Sequence, residues 1–458
     1  MKAAKLVICI IVAVSAVTAM ALEQADEHQK ARDERSLGLG VNLVKWDDSL
    51  GDGGWTRWAP RPDLAPGFAV DRMASSRGVP GLRLSGAKKK FVLGGWRRAV
   101  DRIEGGKAYR FLADVEVKGA PSARRNIVCF IQWKGPDLGN EYTPEYVNNW
   151  RKEEGYTVTL DQTFSAPEGA AAAEVSLLVQ WMPTAELLFR NVVFETAKPE
   201  VSRMVKVATV YWRPEGRSTP EKNVEAFSAL IDKAAARSPD VVLLPEAITS
   251  IGTGLSVVEA AQEEGGTAFF ALAAKAKQHR CYIIYGAYEK EKDVVYNSAF
   301  IIARDGTLAG KYRKVQLPYG EVESGLSPGD FYRTFELDFG KVGILICHDA
   351  AFDEPSRVLM LDGAEIIFVP IWGGEKVQLR ARAMDNGIYL VTSGYDVPSM
   401  VIDPTGEELA VTWKEIGDGT AFTTIDLAKK VRRPWIGDWR NAVVKQRRTD
   451  AYHKVVEE

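Results

Sequence analysis

Cysteine and histidine are scarce, with four of each in 458 residues. Four cysteines are too few for a disulfide scaffold. His28, His279, His348 and His453 lie too far apart in sequence to suggest a His-rich metal cluster, and nothing else calls for a metal or an organic cofactor. An excess of either charge is also missing. Lys and Arg number 59 against 61 Asp and Glu, for a formal charge of -2. So balanced a chain gives no general electrostatic reason for nucleic acid or an anionic membrane as partner. Past the first 21 residues no apolar run is long enough to span a bilayer. Hydrophobic residues make up 46% and charged residues 26%, which excludes a disordered, collagen-like or coiled-coil chain. What is left is an ordinary globular composition, long enough for two to four domains of roughly 100–200 residues each.

The N-terminus reads differently from the rest. Lys2 and Lys5 make a basic start, Leu6 to Ala21 is apolar, and the run ends in Ala19-Met20-Ala21. A positive start, a short apolar stretch and small residues before a cleavage point are the marks of a secretory signal peptide. Residues 1–21 are therefore expected to be removed and the remainder exported, to the periplasm or the exterior, with no membrane attachment afterwards. The other reading is an uncleaved anchor, for which the run is a little short. Export would place Cys129, Cys281 and Cys347 in an oxidising compartment. Three thiols allow at most one internal disulfide, so at least one is left over.

Residues 37–196 alternate with period two. Tyr109, Phe111, Ala113, Val115 and Val117 form one such set; Ile127, Cys129, Ile131 and Trp133 form a second; Val175, Leu177, Val179 and Trp181 form a third, and Leu188 to Phe194 continues the pattern. Short alternating runs between turn-forming residues predict an antiparallel β-sandwich, with one possible helix over Pro144 to Glu153. Seven of the twelve tryptophans fall here: Trp46, Trp55, Trp58, Trp96, Trp133, Trp150 and Trp181. Gly94-Gly95-Trp96 and Gly106-Lys107-Ala108-Tyr109 loosely resemble galactose-binding-like jelly rolls. That resemblance implies a possible carbohydrate ligand; core packing of the tryptophans is the simpler expectation.

After the polar break Ala197-Lys198-Pro199-Glu200 the period changes. Val205 to Val210 reads as a strand. Ser218-Thr219-Pro220-Glu221 reads as a capping box with a first-turn proline. Val224, Phe227, Leu230, Ile231 and Ala234 then recur at helical spacing. Strands follow at Val241 to Leu244, Tyr282 to Tyr288, Val342 to Ile346, Ile366 to Ile371 and Tyr389 to Thr392. Helices are expected at Phe269 to His279, Pro355 to Asp362 and Leu379 to Asp385, and hairpins turn at Asp305-Gly306 and Pro404-Thr405-Gly406. This half is α/β, spans residues 203–450, and shows no internal sequence repeat.

In open α/β sheets functional groups collect beyond the carboxyl ends of strands. Glu246 follows one strand, Cys347 follows another, and Lys314 follows the second strand of the hairpin. Leu244-Pro245-Glu246, Tyr312-Arg313-Lys314-Val315, Ser327-Pro328-Gly329-Asp330 and Gly343-Ile344-Leu345-Ile346-Cys347 occur in that order. Gly363-Ala364 leading to Pro370, Arg382-Ala383-Met384-Asp385-Asn386 and Asp403-Pro404-Thr405-Gly406 follow. In this ordered set the chain resembles the nitrilase, or carbon–nitrogen hydrolase, superfamily. The resemblance implies a four-layer α-β-β-α sandwich, preceded here by the jelly-roll-like all-β domain.

It also implies a Glu246–Lys314–Cys347 triad acting on small amides or N-carbamoyl compounds, with nitriles ranked lower. Amide carbonyls are unreactive, so a thioester route splits one hard step into two. A thiol needs a base, which Glu246 supplies, and the oxyanion needs fixed donors, for which Lys314 and the backbone N–H after Cys347 are the natural pair. A second glutamate is implied between Lys314 and Cys347, with Glu321 favoured over Glu323. Asp385 stands where the family commonly has Glu, as structural support. His348 and Trp372 are candidates for the acyl pocket, while Cys129 and Cys281 read as core. Self-association into a homo-oligomer is implied as well. The alternative reading is a carbohydrate- or surface-binding protein with the α/β half as scaffold.

Overall fold

The computed structural model describes residues 41–452 apart from 77–78, 120–122, 139–143, 153–155 and 265; the expected signal peptide lies outside them. The chain divides into two compact units, Met1–Glu200 and Val201–Glu458.

The first unit is a sandwich of a five-stranded and a six-stranded antiparallel sheet. Tyr109, Phe111, Ala113, Val115 and Val117, on the strand Ala108–Lys118, face a core shared with Ile127, Cys129, Ile131, Trp133, Val175, Leu177 and Val179. A register shift between Arg190 and Val193 lets the strand Glu186–Ala197 keep both Phe189 and Phe194 inside. Such a bulge inserts a residue and resets the alternation.

The helix expected over Pro144 to Glu153 is absent from 144–152, the part of that span described. Glu145–Tyr146 pairs with Phe130 and Ile131 on the edge of one sheet, and Trp150–Lys152 pairs with Leu160, Thr159 and Val158 on the edge of the other. The segment crosses between sheets and covers an edge of each, which outweighs local helical preference. Trp55, Trp96 and Trp133 are buried in the core. Trp46, Trp58, Trp150 and Trp181 are half-buried, and Trp181 sits in a turn beyond its strand, not at the inward position its alternation suggested. None of the seven belongs to the exposed residues.

In the second unit the elements run β1 (Met204–Val210), α1 (Pro220–Ala235), β2 (Val241–Leu243), α2 (Thr267–His279), β3 (Tyr282–Glu291), β4 (Val294–Ile302) and β5 (Leu308–Arg313). They continue through β6 (Thr334–Leu337), β7 (Gly340–Ile344), α3 (Glu354–Leu361), β8 (Ile366–Pro370), α4 (Lys376–Asn386) and β9 (Tyr389–Ser393). The chain closes with β10 (Ser399–Ile402), β11 (Glu408–Thr412), β12 (Thr420–Asp426) and α5 (Trp439–Gln446). One sheet runs β5-β4-β3-β2-β1-β12, and the other runs β6-β7-β8-β9-β10-β11.

The layer order follows from strand alternation. Val205, Val207, Val241, Leu243 and Ile284 of the first sheet pack against Val342, Ile344, Ile366, Phe368 and Val391 of the second. On its other face the first sheet packs Val242, Leu244 and Ile283 against Phe227 and Ile231 of α1 and Leu272 and Ala276 of α2. The second sheet likewise packs Ile367, Val369 and Leu390 against Leu359, Leu379, Ala383 and Val443 of α3, α4 and α5. The result is four layers, α-β-β-α, as the family resemblance implied.

The topology repeats although the sequence does not. β1, β2 and β3 are parallel neighbours followed by an antiparallel meander into β4 and β5, and β7, β8, β9, β10 and β11 do the same. At the start of α1 the cap is Thr219, whose hydroxyl accepts from the Lys222 N–H at 3.3 Å. The expected Ser218 capping box does not form, because Pro220 takes the first helical position and makes its predecessor the cap. Ser218 instead donates to Asn223 Oδ1 at 2.6 Å.

Candidate active site

Three chain segments converge beyond the strand ends. After β2 the chain continues alongside β3: the Leu244 N–H donates to Ile284 O, the Gly286 N–H to Pro245 O and the Ile248 N–H to Gly286 O. A Cβ at Gly286 would stand 2.7 Å from the Glu246 Cα, so glycine permits this approach. Ala247 then turns with φ of 47°, a conformation that costs a non-glycine residue energy. The Tyr395 hydroxyl, fully buried after β9, donates to the Glu246 carbonyl at 2.9 Å. Glu246 is thus fixed from both sheets.

Lys314 follows β5, and its N–H donates to Asn297 O at 2.9 Å. Its ammonium lies 3.1 Å from Glu246 Oε1 and 2.7 Å from Glu321 Oε1. Lys314 is fully buried, the Glu246 side chain is 3% exposed and that of Glu321 is 19% exposed. Asn297, on β4, donates through Nδ2 to the same two oxygens, at 2.7 Å to Glu246 and 3.3 Å to Glu321. Both carboxylates therefore spend Oε1 on one cation and one amide. Glu246 Oε2 and Glu321 Oε2 are buried with no hydrogen-bond partner among the described residues, so each has an acceptor atom in hand.

Burial disfavours the charged form of Lys314, yet the charges of Glu246, Cys347 and Glu321 more than offset it and hold the ammonium well above the ordinary lysine range. For Glu321 burial wins over the attraction of Lys314, and its carboxyl is raised. Of the two glutamates weighed from sequence, Glu321 joins this cluster on the short helix Tyr319–Glu323, and Glu323 is exposed.

Cys347 stands at the end of the β7 segment with φ of 44°, in a tight turn, Cys347–Ala351. The thiol is half-buried and donates to the Gly373 carbonyl at 3.6 Å. Burial first, and then the negative charge of Glu246, push it up to about 12; Lys314 and the backbone of Trp372 and Gly373 act in the other direction. The sulfur therefore holds its proton at neutral pH. Cys129 and Cys281 are free and buried, each in the apolar core of its own unit, and burial raises Cys281 to about 11.

His348 sets its ring edge-on to Phe352 at 5.3 Å. Trp372 is half-buried and meets Tyr395 at 5.1 Å, and its carbonyl accepts the Tyr395 and Asp396 N–H groups. Asp385 contributes its backbone carbonyl, which accepts from Arg357 and Trp439. Arg382 on α4 donates to the carbonyls of Ala350 and Ala351, tying the helix to the Cys347 turn. Asn297 and Tyr395 escaped sequence reasoning: a lone polar residue mid-strand and a tyrosine after a strand carry no local signal. Among the described residues no three His, Cys, Asp or Glu are grouped to hold a metal ion.

The carbon-nitrogen hydrolase family model matches residues 206–433. Over 269 residues the chain is 35% identical to a Pyrococcus abyssi protein described as a nitrilase, covering 55% of this chain and 100% of that one. It is 29% identical over 266 residues to human omega-amidase NIT2, covering 51% and 92% respectively. Among solved structures, Saccharomyces cerevisiae Nit3, described as a member of the nitrilase superfamily, shares 25% identity at a TM-score of 0.44, over 49% of this chain and 90% of its own.

Proposed function

The chain belongs to the carbon–nitrogen hydrolase family and hydrolyses C–N bonds other than peptide bonds; from that premise we propose that it is an exported amidase. Its substrates would be small primary amides or N-carbamoyl compounds, cleaved through a thioester on Cys347. The observation that carries this reading is one buried ammonium, Lys314, held between two carboxylates that each keep a free oxygen, with the Cys347 thiol within electrostatic reach of Glu246 and Lys314.

In the proposed sequence Glu246 Oε2 takes the thiol proton as sulfur bonds to the carbonyl carbon, and the carbonyl π-electrons move to oxygen. A lysine ammonium carries three donors. Two are used on Glu246 and Glu321, and the third is assigned to the oxyanion together with the N–H of His348. One such donor is worth about 2.7–4 kcal/mol in the transition state. As the C–N bond breaks, Glu246 returns its proton to nitrogen and ammonia or amine leaves. Water then attacks the thioester, with its proton passing to Glu246. The C–S bond breaks, the acid departs, and the sulfur regains its proton. Glu321 Oε2 is assigned to the substrate N–H, so that its charge orients the leaving group.

The test is ammonia or amine release from a panel of primary amides, N-carbamoyl amino acids and nitriles. Turnover of amides or carbamoyl compounds ahead of nitriles is expected; turnover of nitriles alone would overturn the substrate assignment.

A pH effect follows from Glu321. Because burial raises its carboxyl, protonation on acidification begins above the ordinary glutamate value of about 4.3. kcat/KM is expected to fall along an acid limb that includes this ionisation. Glu321→Gln is expected to lower kcat/KM by about 10–100-fold and flatten that limb. An unchanged profile would remove Glu321 from the reaction.

A further inference from the structure

Asp349 lies two residues past the candidate nucleophile, is fully buried, and belongs to none of the groups assigned a chemical step above. Its carboxylate accepts four hydrogen bonds. Oδ2 takes the Tyr312 hydroxyl at 2.7 Å and the Ile346 N–H at 3.0 Å. Oδ1 takes the Gln316 N–H at 2.8 Å and the Val315 N–H at 3.3 Å. Four donors on two oxygens fill the acceptor capacity of a carboxylate, and this is what makes a buried charge tolerable here.

The donors come from two places. Tyr312, Val315 and Gln316 bracket Lys314 at the end of β5, in the sheet that also presents Glu246. Ile346 precedes Cys347 in the other sheet. The Asp349 N–H donates back to the Ile346 carbonyl at 3.0 Å, so Ile346 and Asp349 are bonded in both directions across the turn that holds Cys347 at φ of 44°. A strained nucleophile turn persists only where its surroundings over-determine it, and a carboxylate bonded on both sides of the cleft does so.

We propose that Asp349 is a positioning residue that sets the distance between the Cys347 sulfur and the Lys314 ammonium by joining the nucleophile's turn in one sheet to the cation's strand end in the other. The proposal rests on the reading of Cys347 as nucleophile. It assigns Asp349 no contact with substrate. A misplacement of about 1 Å between reacting groups costs on the order of 10²-fold, and that is the scale of effect expected.

Two variants of the full chain test it, Asp349→Asn and Tyr312→Phe. In the first, an amide N–H faces backbone N–H donors, so one side of the clamp must open. In the second, one of four donors is removed and the carboxylate stays. Three quantities are read: thermal midpoint, kcat and KM on any amide turned over, and the rate at which iodoacetamide alkylates Cys347. The alkylation needs no knowledge of the substrate, so it separates a failed clamp from a failed assignment of function.

For Asp349→Asn, kcat is expected to drop on the order of 10²-fold with KM nearly unchanged, and alkylation is expected to slow in step. For Tyr312→Phe, alkylation is expected to slow about 3-fold or more, the scale of one lost hydrogen bond, with the midpoint lowered by no more than a few degrees. If Asp349→Asn does not fold, Tyr312→Phe decides alone. Alkylation at the native rate in a folded variant overturns the proposal, as does a lowered midpoint with native alkylation, which marks Asp349 as structural only. Absence of turnover in the native enzyme, with alkylation slowed in the variants, would instead sink the amidase assignment and leave the clamp standing.

Discussion

Glu246→Gln is expected to lower kcat by about 10²–10⁴-fold, the contribution of a general base, while leaving the protein folded. The glutamine Oε1 can still accept from Lys314 and Asn297, so the hydrogen bonds at 3.1 and 2.7 Å survive. What is lost is the free Oε2 as proton acceptor. With the thiol raised to about 12 in the native site, only a minute fraction is thiolate at neutral pH, and the cluster's other carboxylate, Glu321, is assigned to the substrate N–H instead. Residual activity should therefore climb with pH, roughly tenfold per unit, as hydroxide does the work of the missing base. The climb should level off somewhat below 12, because the charge of Glu246 is one of the causes that raise the thiol. Steady-state kcat from pH 6 to 10 checks both. A variant with native kcat and a flat profile would show that the thiol is ionised by something else.

Lys314→Met is expected to remove activity by at least about 10²–10³-fold, as for a lost oxyanion donor, and also to destabilise the fold. Lys314 is the cation shared by buried Glu246 and half-buried Glu321. Removing one partner of a buried ion pair typically costs about 3–5 kcal/mol, because it strands the other charge. Here it strands two. Glu321 is already raised by burial against the pull of Lys314. Without that cation its carboxyl must rise further, so the folded variant binds protons more readily than the unfolded chain. Stability then falls as pH rises through the folded-state value and is regained as pH falls below it. Denaturation midpoints at pH 5 and pH 8 should thus show a deficit against native protein that is larger at pH 8. An equal deficit at both would mean that Lys314 is lost as packing, not as charge.

How much of this was legible in the sequence depended on how local the physics was. Period-two alternation placed Tyr109 to Val117 and Ile127 to Trp133 in the sandwich core, where they lie. Helical spacing placed Phe227 and Ile231 under α1. Both depend only on near neighbours in the chain. Pro144 to Glu153 was misread because edge pairing with Phe130 and Leu160 is a long-range matter. Trp181 was misread because its strand ends one residue earlier.

The same division runs through the site. Glu246, Lys314 and Cys347 stood out because each follows an apolar strand in an order the family shares. Asn297 and Asp349 did not, since their roles exist only once two sheets face each other. Asn297 acquires meaning from two carboxylates 51 and 24 residues away, and Asp349 from donors on the opposite sheet. The doubled topology was invisible for a related reason. Two chains of unlike side chains can trace the same β-α-β-α-β-meander path, because the path is set by the pattern of burial and not by residue identity.

The proposed chemistry stands or falls on a thioester at Cys347, which intact mass of the full-length protein, quenched during turnover of an amide, would reveal. Native protein is expected to gain the mass of the acyl group less one hydrogen, mapped to Cys347, with ammonia or amine released in step and no gain on Cys347→Ala. Hydrolysis by Cys347→Ala at the native rate, or an adduct mapped to another residue, would contradict it.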